Sequence, residues 1–140
     1  MNNNSKFVGK RIVNIVKCLF HASNIVLIFF YLYPGSILGC YIYNDCQMQP
    51  QLTSDFVVSS NHVYVFFFIS SLGFIAYSEK SAFKKVILYI FFISLFLELT
   101  HLFIPERSFQ AEDLAGNIVG VVISLVIFLI FKFRKKNEQF

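Results

Sequence analysis

The chain has 140 residues, of which 56% are hydrophobic, 19 are Phe and only 14% are charged, whereas a soluble domain carries about 25% charge. So little charge cannot cover a water-facing surface, and the length allows one domain, so the composition excludes an ordinary soluble globule and points to a chain solvated by lipid. The net charge of +4 does not make a nucleic-acid surface either, because the basic residues fall in short clusters between apolar runs and the aromatics lie inside those runs.

Four apolar stretches, each near the ~20 residues that a helix needs to cross the hydrocarbon core, predict an all-α polytopic membrane protein. The expected architecture is one domain over residues 1–140, a bundle of four transmembrane helices at about 13–33, 56–77, 84–104 and 113–133. Long runs without alternation suit helices and not barrel strands. Ahead of the first helix, Asn2-Asn3-Asn4 reads as a disordered terminus. The apolar run from Val16 to Tyr33 stops at Pro34-Gly35. A basic start before an apolar run also describes a secretory signal peptide, and Ile37-Leu38-Gly39-Cys40 loosely matches a lipoprotein cleavage box. Leu38 is large where a small residue is preferred, however, and Lys17, His21 and Asn24 interrupt the run, so the first helix is expected to be retained.

The connection from Tyr33 to Asp55 is long and polar, a length more often functional than idle. It holds Cys40 and Cys46, which can close a small disulfide ring in an oxidising compartment or stay free thiols; their spacing does not decide between the two. The second run, Phe56 to Tyr77, is only half apolar between Val57 and His62. The third, Val86 to Ile104, ends at Pro105, and the fourth, Leu114 to Phe131, ends in Lys132, Arg134, Lys135 and Lys136.

Orientation follows from where Lys and Arg fall. Lys6, Lys10, Arg11 and Lys17 precede or enter the first helix, Lys80, Lys84 and Lys85 lie between the second and third, and four more follow the last. The opposite side has Arg107 alone, with Asp45, Asp55, Glu106, Glu112 and Asp113. Both termini are therefore expected in the cytoplasm and the Tyr33–Asp55 and Pro105–Asp113 loops outside.

Charged and strongly polar side chains inside a span are expensive and mark sites by default. Glu98 and His101, three apart, share a face at the outer end of the third helix. Asp113, Asn117, Gly120 and Ser124 form a stripe down the fourth, and His62, Phe66, Ser70 and Gly73 a similar stripe down the second. Gly116 and Gly120 make a GxxxG pair suited to close helix packing. If the stripes converge, Glu98, His101, Arg107, Asp113, Asn117 and His62 gather in a polar pocket open to the outside. Glu98 and Asp113 are the expected partners of Arg107, whose planar fork suits phosphate or carboxylate.

The run Glu98-x-x-His101-x-x-x-Pro105-x-Arg107, followed by Asp113, Asn117 and Gly120, resembles the VanZ-like family, whose pattern is Glu-x-x-Gln, a Pro before an Arg, then Asp, Asn and Gly at the same spacings. His62 with Leu72-Gly73 looks like that family's second motif, with Val58 and Ser59 where Asp and Lys stand in the family and Leu72-Gly73 falling about three residues late. The resemblance covers most of the chain. It implies a four-helix protein of the bacterial cytoplasmic membrane, in a family named for a member linked to low-level teicoplanin resistance, and it carries no reaction.

Three functional readings are open. In the first, the pocket binds head groups of envelope lipids, lipid-linked precursors or lipidated glycopeptide antibiotics, with membrane lipids as partners and homo-oligomers allowed. In the second, His62, Glu98, His101 and Asp113 hold a divalent metal for hydrolysis. In the third, the polar groups only pin the helices together. The chain has no HExxH helix, nucleophile elbow, P-loop or Cys-x-x-Cys pair, so no catalytic residue, metal or cofactor is assigned.

Overall fold

The computed structural model describes the backbone of residues 3–137 and the side chains of residues 9–79, 81–135 and 137. The chain forms α1 (Asn3–Leu32), α2 (Ile37–Tyr43), α3 (Ser60–Ala76), α4 (Lys80–Thr100) and α5 (Ala111–Asn137). It is all-helical, with no strand among the described residues. Of the Asn2-Asn3-Asn4 run, Asn3 and Asn4 open α1 instead of forming a loose tail, and Asn2 lies outside the described residues.

The long helices do not start and stop where hydropathy alone puts them. Residues 56–59 are not helical and α3 begins at Ser60. The reason is local: the Asp55 carboxylate accepts the Ser60 amide at 2.7 Å, while the Ser59 amide donates to the Glu112 carbonyl at 3.2 Å. The chain is thereby strapped to the head of α5 instead of coiling a turn earlier. At its far end α4 stops at Thr100, not Ile104, and the amides of His101, Leu102 and Phe103 close tighter i→i−3 bonds before Pro105, which cannot continue a helix.

Helices α1, α4 and α5 all touch α3, which sits centrally. Contacts of Tyr31 with His62 and of Phe20 with Tyr77 make α1 antiparallel to α3, whereas His62 beside Asn117 and Ser71 beside Ser124 make α3 and α5 parallel. Phe20, Phe66, Phe74, Ile90, Leu97 and Val121 fill the axis. The α3–α5 seam is the tightest. A Cβ at Gly116 would fall 2.6 Å from the Ser59 carbonyl oxygen, and one at Gly120 would collide with the Val63 carbonyl oxygen and come 2.8 Å from the Phe67 amide nitrogen. On the other flank of α3, Gly73 admits the Phe20 ring, which would stand 2.8 Å from a Cβ there.

The outer face of the bundle is apolar: Ile25, Phe29, Phe68, Leu88, Phe92, Ile130 and Phe131 are all exposed. A monomeric soluble protein does not tolerate so continuous an apolar surface. Gly9–Leu32 and Ala111–Lys135 are each long and apolar enough to cross a membrane. The 17-residue α3 is apolar but shorter, and α4 carries Lys80, Lys84, Lys85 and Glu98.

The two ends of the bundle differ. Near the α3–α4 turn, Lys132 donates to the Ser78 carbonyl and covers the Phe83 ring, and Lys17 covers Tyr77. The side chains of Lys6, Lys80 and Lys136 lie outside the described residues. The opposite end is capped by the 33–59 connection, which is ordered: Ser36 caps α2 by accepting the Gly39 amide at 3.0 Å, and Cys40 is bonded to Cys46. Downstream, Asn61 accepts the Leu52 amide and donates to the Pro50 carbonyl. A folded cap therefore lies over the heads of α3 and α5.

Candidate functional site

Beneath that cap lies a polar chamber of about 400 Å³, lined by the cap residues Cys46 to Gln49 and by His101, Arg107, Gln110 and Asp113. Next to it, reached through His101 and Asp113, is a hydrogen-bonded cluster whose hub is Tyr31, near the end of α1. The Tyr31 hydroxyl donates to Asn117 Oδ1 at 2.9 Å and lies 2.8 Å from His62 Nδ1, which is itself 2.9 Å from Asn117 Oδ1. Asn117 Nδ2 donates across to the Ser94 carbonyl on α4 at 3.2 Å, which fixes the amide's orientation. The Tyr31 ring stacks on the His101 imidazole, centroids 5.2 Å apart. One phenol thus joins all four long helices.

The acids sit beside this hub. Asp113, in the first turn of α5, is 3.5 Å from His62 Nε2. Glu98 is fully buried; its Oε1 accepts the Gln110 amide at 3.1 Å and lies 3.3 Å from His101 Nδ1. One ligand atom from each of His62, Glu98 and Asp113 falls within 4.8 Å of the other two. Below, the Ser124 hydroxyl of the α5 stripe meets that of Ser71 at 2.9 Å, whereas Ser70, the α3 stripe residue, is buried with no hydrogen-bond partner for its hydroxyl.

Arg107 is placed differently from expectation. It lines the chamber with Asp113 and His101, but it forms no ion pair with Glu98 or Asp113 among the described residues. Its Nε donates to the Tyr33 carbonyl at 3.3 Å and its Nη2 to the Phe30 carbonyl at 3.2 Å. These are carbonyls at the frayed end of α1, where the helix leaves acceptors without intrahelical partners. The turn that presents Arg107 is strained: Glu106 has φ 62°, a left-handed conformation that costs a side-chain-bearing residue about 1–2 kcal/mol. Burial pulls the Arg107 pKa below its ordinary value, yet an arginine remains charged. Its two carbonyl partners hold the guanidinium in place at the wall of the chamber.

Two further cavities border the chamber and the cluster. A neck of about 130 Å³ shares Ser36, Gln49, Asn61, His101 and Arg107 with it. The neck in turn shares Phe30, Tyr31, Leu38, Asn61 and His62 with an apolar groove of about 620 Å³. That groove runs down the α1–α3 face past Val26, Leu27, Val65 and Phe68 to Leu19.

Sequence spacing brings out Glu98, His101, Asp113, Asn117 and His62, all of which stand in or against this cluster. It misses Tyr31, which looks like any aromatic at a membrane interface, and Ser94 and Gln110, which contribute only backbone groups and so leave no side-chain signal. Cys40 and Cys46 belong to the cap, and Gly73, Gly116 and Gly120 to helix packing, Gly116 directly beside His62 and Ser59.

An all-helical bundle with an apolar jacket and a buried polar end is the form of an integral membrane protein. The VanZ/LLP1 family model matches residues 10–132, nearly the whole chain, and the chain belongs to that family. No curated protein and no solved structure matches it.

Proposed function

We propose that the protein spans the bacterial cytoplasmic membrane four times with both termini in the cytoplasm, and that it binds an anionic or polar amphiphile from the outer leaflet. The amphiphile class includes an envelope lipid, a lipid-linked precursor and an acylated glycopeptide. The topology is supported by the charge asymmetry along the chain and by the positions of Lys17 and Lys132, at the end away from the chamber.

A single observation carries the binding reading: a polar chamber and an apolar groove share a neck, so one molecule with a head and a chain can fill both. The head group enters beneath the cap, where Arg107 supplies a planar cation for phosphate or carboxylate. His101 and Asn61 line the neck and orient the head. The chain lies along Leu27, Val65 and Phe68, where it replaces contacts with bulk lipid. A purely structural role for the polar groups accounts for the Tyr31–His62–Asn117 hub but gives no reason for an open chamber above it.

Native mass spectrometry of the protein released from its own membrane tests this reading. The expected spectrum shows one co-bound anionic amphiphile that survives the loss of bulk lipid. Release of the bare chain at the same activation that strips bulk lipid would overturn it.

A further inference from the structure

Two buried carboxylates at the head of a bundle clad in apolar side chains are expensive unless cations or donors compensate them. Here compensation is incomplete. Glu98 has both demands met at Oε1, by the Gln110 amide and the neighbouring His101 Nδ1, while its Oε2 is fully buried and has no hydrogen-bond partner. His101 Nε2 is likewise buried without a partner. The nearest arginine, Arg107, is engaged by the Phe30 and Tyr33 carbonyls.

We propose that His62, Glu98 and Asp113 form a binding site for a divalent first-row cation such as Zn²⁺ or Mn²⁺. Their ligand atoms already lie within 4.8 Å of one another. Donor atoms around such an ion stand about 3.3–3.6 Å apart, so an edge of 4.8 Å closes by about 1.2–1.5 Å, within the reach of side-chain rotations. One imidazole nitrogen and two carboxylates suit these ions.

The surroundings hold each ligand as outer-shell groups hold metal ligands. With its proton on Nδ1, donated toward Asn117 Oδ1, His62 keeps the Nε2 lone pair for the ion. The amide of Asn117 cannot turn to oppose this, because its Nδ2 is committed to the Ser94 carbonyl. Glu98 is steadied through Oε1, which leaves the orphaned Oε2 as the ligating oxygen. Asp113 and His101 both line the chamber, so the remaining coordination positions open into it. This inference does not rest on amphiphile binding.

The test uses the full chain in detergent, carrying Cys18→Ser to remove the free thiol. The protein is stripped with chelator, reloaded with Zn²⁺, Mn²⁺ or Co²⁺, and desalted. One ion per chain by elemental analysis, visible ligand-field bands with Co²⁺ and a raised unfolding temperature are expected. Glu98→Gln and Asp113→Asn should weaken binding by more than the roughly 10–100-fold typical of outer-shell changes. Because both substitutions are nearly isosteric, size-exclusion profiles show whether either variant has unfolded. If one has, the unfolding shift of the stripped and reloaded parent chain decides. A parent chain that holds no ion and shows no shift, or folded variants that bind as the parent does, would overturn the site.

Discussion

Replacing Arg107 with alanine is expected to weaken binding of an anionic amphiphile by at least about 30-fold while leaving a folded, inserted protein. Loss of a buried charged contact typically costs about 2–5 kcal/mol, which sets that lower bound. Of the five guanidinium N–H groups, the Phe30 and Tyr33 carbonyls engage Nε and Nη2, and the others are available to a head group in the chamber and neck that Arg107 lines. Folding should survive because Arg107 lies in the α4–α5 connection and neutralises neither acid directly. Titration of short-chain phosphatidic acid against the protein in detergent measures the effect, with a short-chain phosphatidylcholine as the neutral comparison. Arg107→Lys should fall between parent and alanine, since an ammonium keeps the charge but loses the planar fork. Loss of folding in Arg107→Ala would instead make this residue a structural cation.

Gly120→Leu is expected to remove the folded protein altogether. A Cβ at that position meets the Val63 carbonyl oxygen and the Phe67 amide nitrogen, which are backbone atoms of α3 and cannot rotate aside. The two helices must therefore separate, breaking the Ser71–Ser124 contact and drawing His62 away from Asp113 and Asn117. Overpacking of this kind costs roughly 3 kcal/mol or more when backbone has to move. The same change at Gly116 should be milder, because its nearest neighbour is the Ser59 carbonyl in the N-cap of α3, where the chain can shift. Thermal unfolding followed by size-exclusion chromatography ranks the two. A monodisperse Gly120→Leu protein of parental stability would mean that the seam is looser than described.

Much of this molecule can be read from its residues, and the remainder has identifiable causes. Long apolar runs place the four long helices, with every end within about four residues except the start of α1, which lies at Asn3, about ten residues ahead of the apolar run. The misplaced ends are those where side chains overrule hydropathy, as at Asp55, which holds the Ser60 amide, and at Thr100, where tighter turns precede Pro105. Polar residues at offsets of three, four, seven and eleven place Glu98, His101, Asp113 and Asn117 on inward faces, since a lipid-facing acid is too costly. The short α2 was not legible, because seven residues from Ile37 to Tyr43 lack the length for a periodic signal. The role of Tyr31 and the carbonyl partners of Arg107 were hidden for a different reason. Each depends on where α1 ends in space, and no spacing within a helix reports that. The Cys40–Cys46 bond also depends on the fold of the cap around α2.

Capture of an amphiphile from the outer leaflet requires the chamber to face away from the cytoplasm. Single cysteines at Ser108, on the chamber rim, and at Ala82, in the first turns of α4, can be labelled in intact cells with a membrane-impermeant maleimide in the Cys18→Ser background. The predicted result is that Ser108→Cys reacts at once and Ala82→Cys reacts only after permeabilisation. The reverse pattern would turn the chamber inward and contradict capture of an amphiphile from the outer leaflet.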